Sequence, residues 1–244
     1  MWTCAMLKAN ARAALSGRYW RSFWVCFIVS LLSGGIGWNI TYSASDLSEQ
    51  IQSLSTSTLL LVLAAMWLYL IFSFLWNTFL AAPLSVGRCR YFMESRQSPS
   101  PVSTLFSVFR TPYLNVVKVQ LLTSLKIAAG ILLLVVPGIY WAYCYALVPY
   151  LLAENPYLTT RRAMELSKEI MYGEKFHYFL LELSFLGWLL LCLLSFGIGS
   201  FFLSPYMSAT FAEFYAAMRA KAFAHGLTTN QELGGFIRHD NPTF

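Results

Sequence analysis

The sequence predicts an all-α fold: a polytopic transmembrane helical bundle of about six spans, paired as three hairpins, with amphipathic helices at the interface. Three observations carry that expectation. Of 244 residues, 57% are hydrophobic and only 11% are charged, whereas an ordinary soluble domain carries about 25% charged residues. Residues 22–45, 50–87, 127–153 and 183–212 contain no Asp, Glu, Lys or Arg, and roughly 20 mostly apolar residues suffice to cross a bilayer core of about 30 Å. The basic residues fall between these windows so that a six-span threading gathers them on one face. A single integral membrane domain, residues 1–244, follows.

The elements can be justified in chain order. Arg18 and Arg21 precede an apolar run, Ser22 to Ile40, that is too long and too late for the core of a cleavable signal peptide, so it reads as a retained first span at roughly 20–40. Residues 41–58, rich in Ser and Thr with only Asp46 and Glu49 charged, form the far-side loop before a second span at 59–82. Residues 88–118 return to the basic face. Within them, Ser98-Pro99-Ser100-Pro101 leads into Val102, Leu105, Phe106 and Phe109, the i, i+3, i+4, i+7 spacing of an interfacial amphipathic helix that Pro112 stops.

The next two windows each contain a break. Pro lacks an amide donor and Gly relaxes the backbone, so Val136-Pro137-Gly138-Ile139 is either a kink or a turn between helices. Charge decides. A hairpin here, and another at Phe196-Gly197-Ile198-Gly199 followed by Ser204-Pro205, puts Lys8, Arg12, residues 161–175 and the tail with Arg219, Lys221 and Arg238 on one side. The basic residues near span ends then share one face, apart from Lys126, which falls inside a span. This is the positive-inside pattern, with both termini cytoplasmic; a single kinked span would send residues 161–175 and the tail outside. The remaining spans are therefore 114–136, 139–153, 176–196 and 200–221, with 222–244 as a cytoplasmic tail. Pro137, Gly138, Gly197, Gly199 and Pro205 are the break or turn residues.

Span four, at 15 residues, is roughly 22 Å long and short for a crossing, and Pro149 adds a bend. Short interrupted segments mark binding sites in transporters but also occur as plain hairpins. A second interfacial helix follows Glu154-Asn155-Pro156, with Asn155 as cap, Pro156 in the first helical position and Gly173 as left-handed terminator. On it Ala163, Leu166 and Ile170 share a face while Arg161, Arg162, Lys168 and Glu169 stay wet. Gly35-Ile36-Gly37, Gly138-Ile139-Tyr140 and Gly197-Ile198-Gly199 recur at outer span ends with irregular spacing, which suits three hairpins rather than a repeat array.

Candidate chemistry begins with ionisable residues inside spans, because a charge in the bilayer core is costly unless paired or hydrated. Lys126, Glu213 and Glu182 lie roughly 15, 20 and 21 Å from the outer turns at the helical rise. Lys126 is expected to pair with Glu182, Glu213 or both, as a structural ion pair or as part of a proton or ion relay. Tyr140, Tyr143, Tyr145 and Tyr150 surround span four. They fit an interfacial aromatic belt, while Tyr143 and Tyr150, seven apart, can instead line a cavity for an amphiphile.

Glu174 and His177 form Glu-x-x-His, a di-metal spacing, but no second copy exists, so no metal site is expected. The cysteines, Cys4, Cys26, Cys89, Cys144 and Cys192, are scattered without a CxxC and read as free thiols. Phosphate-loop, HExxH and GxSxG motifs are absent from the sequence, so neither an enzyme nor a cofactor is expected. The net charge of +6 follows from positive-inside loops and gives no reason to invoke nucleic acid. Membrane lipids are the expected partners, with room for a membrane-protein partner.

From Pro83 to Tyr215 the chain resembles the bacterial integral-membrane family catalogued as domain of unknown function 975. The resemblance rests on Pro83-Leu84-Ser85-Val86-Gly87, the Pro137-Gly138-Ile139 turn, Ala142-Tyr143-Cys144-Tyr145, Pro149-Tyr150 and Ala153-Glu154-Asn155-Pro156. It continues through the residues from Ser167 to Lys175, then the stretch from Phe179 to Trp188, which is the most specific part, and on to Gly197-Ile198-Gly199, Pro205-Tyr206 and Phe214-Tyr215. The N-terminal stretch from Ala14 to Trp20 fits as well, while residues 41–58 match nothing in the family. The resemblance implies a multi-span protein of the bacterial cytoplasmic membrane, of Gram-positive type, and brings no activity with it. Two functional classes stay open: a non-enzymatic scaffold or accessory subunit with a dry interior, and a small transporter or lipid-binding protein with a hydrated polar cavity.

Overall fold

The computed structural model describes residues 2–33, 56–110, 112–195 and 197–234, and all regular structure among them is helical. In chain order the helices are α1 (Cys4–Leu15), α2 (Tyr19–Leu32), α3 (Thr56–Trp76), α4 (Ala82–Gln97), α5 (Tyr113–Leu133) and α6 (Val135–Cys144). They continue with α7 (Val148–Glu154), α8 (Thr160–Ile170), α9 (Lys175–Leu183), α10 (Leu186–Leu194) and α11 (Ile198–Ala224). A π turn, Asn77–Ala81, joins α3 to α4, and a 3-10 helix, Val102–Phe109, follows α4.

Four stretches are long and apolar enough to cross a membrane: Thr56–Gln97, Tyr113–Leu133, Val135–Glu154 and Lys175–Leu194. They meet the expected second to fifth spans. Helix α2 is apolar but shorter, and the rest of the expected first span, with Gly35-Ile36-Gly37 and most of the 41–58 loop, lies outside the described residues. Helix α11 covers the sixth expected position without joining those four.

Several boundaries differ from expectation for local reasons. The second span does not end near residue 82. Thr56–Gln97 is one 42-residue helix, roughly 63 Å long at 1.5 Å per residue and about twice a bilayer core. Its second half is therefore interior helix, not loop. Pro83 has no amide to give the turn before it, and the Tyr113 hydroxyl donates to the Phe79 carbonyl in that turn.

The third turn lies at Leu134, in extended backbone at φ −159° and ψ 138°, rather than at Pro137-Gly138. Pro137 occupies the first turn of α6, where its missing amide would have had no helical partner. Gly138 serves close approach: a Cβ there would stand 2.4 Å from Ile131 Cγ1 and 2.6 Å from the Ile131 amide nitrogen. Across from it, a Cβ on Gly130 would stand 3.0 Å from the Gly138 Cα. These two glycines let α5 and α6 meet backbone to backbone. The fourth span is also not short, since Val135–Glu154 has 20 residues, or roughly 30 Å, with a turn at 145–147 just before Pro149.

Gly173 and Gly197 sit at φ +78° and +84°, left-handed positions that favour glycine, as expected of a terminator and a turn. Gly199 and Pro205, by contrast, lie within an uninterrupted α11 and break nothing. The Tyr19 hydroxyl donates to the Phe202 carbonyl, one residue past the Phe201 carbonyl that Pro205 leaves without its helical donor, at 2.8 Å. The segment after Pro101 winds as a 3-10 helix. At three residues per turn, Leu105 and Val108 point inward while Phe106 and Phe109 stay exposed, so the predicted four-residue apolar face does not form.

Burial divides the bundle into two ends. Around α4, α7, the second half of α11 and α8, side chains such as Tyr91, Leu151, Leu166, Phe214 and Tyr215 are fully buried; this end is called the body. Toward the α5–α6 and α10–α11 turns, and all along α3, large apolar side chains are exposed. Helix α8 packs on the body through Ala163, Leu166 and Ile170, as its periodicity predicts, and the Ser167 hydroxyl donates to the Cys144 carbonyl. Its cap is Thr159, which accepts from the Arg162 amide, not Asn155. Asn155 instead closes a local turn onto the Tyr157 amide and donates to the Glu232 carbonyl. The tail expected from residue 222 also folds back: α11 runs to Ala224, and Leu233 is fully buried.

Candidate functional site

The polar chemistry of this chain is concentrated in the body, and it begins with Glu213. The five residues of α11 on either side of Glu213 carry no charge, so a carboxylate there needs a partner from another helix. Arg96, at the end of α4, supplies it: Nε and Nη2 donate to the two carboxylate oxygens at 2.6 and 3.1 Å in a fork. Nearby, Arg18 donates to the Ser95 carbonyl at 2.9 Å. These side chains, with Asn10 and Ser16, line a polar cleft of about 420 Å³ beside α1.

Glu154, Tyr215 and Arg219 form a second, deeper cluster. The Glu154 carboxylate is fully enclosed, accepts the Tyr215 hydroxyl at 2.7 Å and takes Arg219 Nε at 2.8 Å. Arg219 also reaches the Leu233 carbonyl, which ties the returning tail to α11. A third cluster clasps the tail from α8, where Arg162 Nε donates to Glu232 at 2.7 Å and Arg162 Nη2 to the Leu227 carbonyl at 2.8 Å. That bonding, chiefly the Arg162 hydrogen bond, holds the Glu232 carboxyl below its ordinary range, and Arg162 is pushed up in return.

The expected intramembrane network does not assemble. Lys126 is exposed on α5, its ammonium 5.2 Å from the centre of the Tyr145 ring. Glu182 accepts the Tyr143 hydroxyl at 2.8 Å, and Glu213 belongs to Arg96. Position along each helix does not say which way a side chain turns. Tyr143 and Tyr150 each have a partner of their own: Tyr143 is held by Glu182, and Tyr150 stacks on Tyr215 at 5.2 Å between centroids. Glu174 lies 3.6 Å from His177 and also takes Lys221 at 2.8 Å. Among the described residues no group of three metal-ligating side chains occurs. All five cysteines are free thiols.

Sequence reasoning missed Arg96, Arg162 and Arg219 as organisers because Arg96 stood in a stretch taken for loop, Arg162 on the wet face of an interfacial helix, and Arg219 at the end of the sixth span beside the tail. A usable signal existed. Each has a glutamate elsewhere in the chain that a lipid-facing position would not tolerate.

A second cleft, of about 820 Å³, runs on the other side of α1. Its walls are stripes at helical spacing, Trp188, Leu191 and Cys192 on α10 against Phe202, Leu203 and Tyr206 on α11, and α1 contributes Arg12, Leu15 and Ser16.

Fold and site together define an all-helical protein built on apolar helices long enough to span a membrane, with its ion pairs gathered at one end. Residues 113–222 match the sequence model of the family described as "Protein of unknown function (DUF975)". The matched segment runs from the start of α5 nearly to the end of α11, so the stretches at Pro83 to Gly87 and Ala14 to Trp20 lie outside it. No curated protein and no solved structure matches the chain.

Proposed function

We propose that this is a multi-pass protein of the bacterial cytoplasmic membrane, with both termini cytoplasmic, that serves without catalysis as a scaffold or accessory subunit of an envelope, secretion or transport complex. One observation carries the reading. Every glutamate among the described residues except Glu182 has a basic partner within 4 Å, and Glu182 holds a tyrosine hydroxyl. Carboxylates engaged in this way stabilise an architecture and leave little free capacity to relay protons or ions. The orientation rests on the basic residues at the body end, which the positive-inside rule assigns to the cytoplasm.

Two measurements test this. A thiol introduced after Gly173 should resist impermeant reagents added outside intact cells. Purification in mild detergent should yield a complex of fixed stoichiometry with another membrane protein. Solute flux in proteoliposomes that disappears in Glu213→Gln would refute the non-transport reading.

The cleft between α1 and the α10–α11 hairpin favours a second reading, a protein that holds a lipid or amphiphile. Its walls are apolar and it is lined by one cationic side chain.

A further inference from the structure

We propose that the cleft between α1, α10 and α11 is a binding site for one anionic phospholipid, with an acyl chain between the two helical stripes and the phosphate on Arg12. This inference rests on the second reading above and names its ligand and site.

The shape comes first. At about 820 Å³ the cleft falls within the roughly 300–1,000 Å³ of small-molecule sites. The stripes from Trp188 to Ser195 and from Gly199 to Tyr206 each cover eight residues, or roughly 12 Å of helix. Gly199 lets α10 and α11 close the floor of the cleft at the turn, because a Cβ there would meet Ser195 Oγ at 2.9 Å and Cys192 Sγ at 3.0 Å. Trp188 and Leu191 are more than half exposed, so the cleft opens sideways. A two-chain lipid can therefore seat one chain and leave the other in the bilayer, which a closed fatty-acid pocket would not require.

Charge selects the headgroup. Arg12 is the only ionised side chain lining the cleft. Its Nε makes one long bond, 3.4 Å, to the Lys8 carbonyl, and no carboxylate lies within ion-pair distance among the described residues. Two of the other polar groups are already engaged, the Tyr19 hydroxyl on the Phe202 carbonyl and Ser195 Oγ between the Cys192 carbonyl and the Gly199 amide, and Cys192 and Tyr206 complete the lining. What remains is an apolar slot with an unneutralised guanidinium and the Ser16 hydroxyl beside it. That combination is complementary to a phosphodiester on a hydrocarbon chain.

The test is native mass spectrometry of the full chain in mild detergent, titrated separately with palmitoyl-oleoyl phosphatidylglycerol, the matching phosphatidylcholine, and oleate. Phosphatidylglycerol should bind with one-to-one stoichiometry and tighter than phosphatidylcholine by about five- to tenfold, the scale of one basic residue against an anionic lipid. Arg12→Gln should erase that preference, and Arg12→Lys should restore part of it. Cys192→Phe, which fills the slot without touching a charge, should weaken both phospholipids alike. Arg12 is exposed and makes no ion pair, so its substitution leaves the body intact; unchanged thermal unfolding confirms this. A phosphatidylglycerol preference that survives both Arg12→Gln and Cys192→Phe overturns the site but leaves lipid binding standing. Tighter binding of oleate than of phosphatidylglycerol overturns the ligand. Absence of saturable binding by all three overturns the site and the second reading together.

Discussion

The body and the turn end of this molecule use the same apolar alphabet under opposite rules. In the body, Tyr91, Phe214 and Tyr215 are sealed among α4, α7 and α11, and even Glu154 is fully enclosed. At the turn end, Leu132 is 90% exposed and Leu194 80%, and no residue of α3 is buried. In water such a surface would be untenable. In lipid it costs nothing, because hydrocarbon tails are as apolar as leucine, and helices there are held by backbone proximity rather than by hydrophobic burial. The difference teaches that two cohesive devices operate: charge clasps and interdigitated rings in the body, and the Gly130–Gly138 contact at the turn end.

The largest effect is expected where the body is most closed. Arg219→Met strands the buried Glu154 carboxylate, and should lower stability by about 3–5 kcal/mol, the cost of breaking a buried pair. The double change with Glu154→Leu should recover most of that loss in a denaturant titration of the detergent-solubilised protein. If the single change is silent, the clasp is not what holds the body.

The turn end is tested next, by its solvent. Leu68 is 68% exposed at mid-α3, and Leu68→Asp should raise the cost of membrane insertion by about 3 kcal/mol, as for an aspartate at a helix centre. Leu68→Ala, changing one lipid-facing apolar group for another, should move folding stability by less than about 0.5 kcal/mol. A glycosylation-based insertion assay and thermal unfolding read the two. A large loss of stability in the alanine variant would mean that α3 has a protein neighbour.

Gly138→Ala probes the only device proposed for the hairpin. Its Cβ would collide with Ile131 backbone and side chain, and overpacking of this kind costs about 1–3 kcal/mol. A thiol pair across α5 and α6 should cross-link less efficiently in the variant.

The smallest effect concerns the tail. Glu232 is held below its ordinary 4.5, chiefly by its hydrogen bond from Arg162. The sign follows: the clasp contributes fully above about 4.5 and is lost as pH falls through the lowered value, whereas raising the pH changes nothing because Arg162 stays charged. Hydrogen exchange of residues 225–234 should be flat from neutral pH down to about 5 and accelerate, beyond the intrinsic rate, below 4.5. Glu232→Gln should abolish that step.

Much of this architecture was legible before any coordinates. Charge-free windows located the apolar helices at residues 114–136 and 176–196 to within about three residues, and Ala163, Leu166 and Ile170 declared the buried face of α8. Those features are local: a run of apolar residues partitions into lipid, and a periodic face buries itself, whatever else the chain does. The Leu134 turn, the continuous helix through Pro83 and the unbroken α11 were not legible, because a proline or glycine announces a weak point without saying whether a neighbour repairs it. Tyr113 carries out such a repair from a distant element.

The sequence by itself determined that this chain is helical, apolar enough for a membrane and basic on one side, since composition and periodicity act over a few turns of helix. Tertiary structure alone decided that Glu213 meets Arg96 instead of Lys126, that Arg162 and Arg219 capture the tail, and that α1 lies beside an amphipathic cleft. The physical reason is directional. A side chain's depth follows from its position in the sequence, but the azimuth that chooses its partner is set by how whole helices rotate to pack.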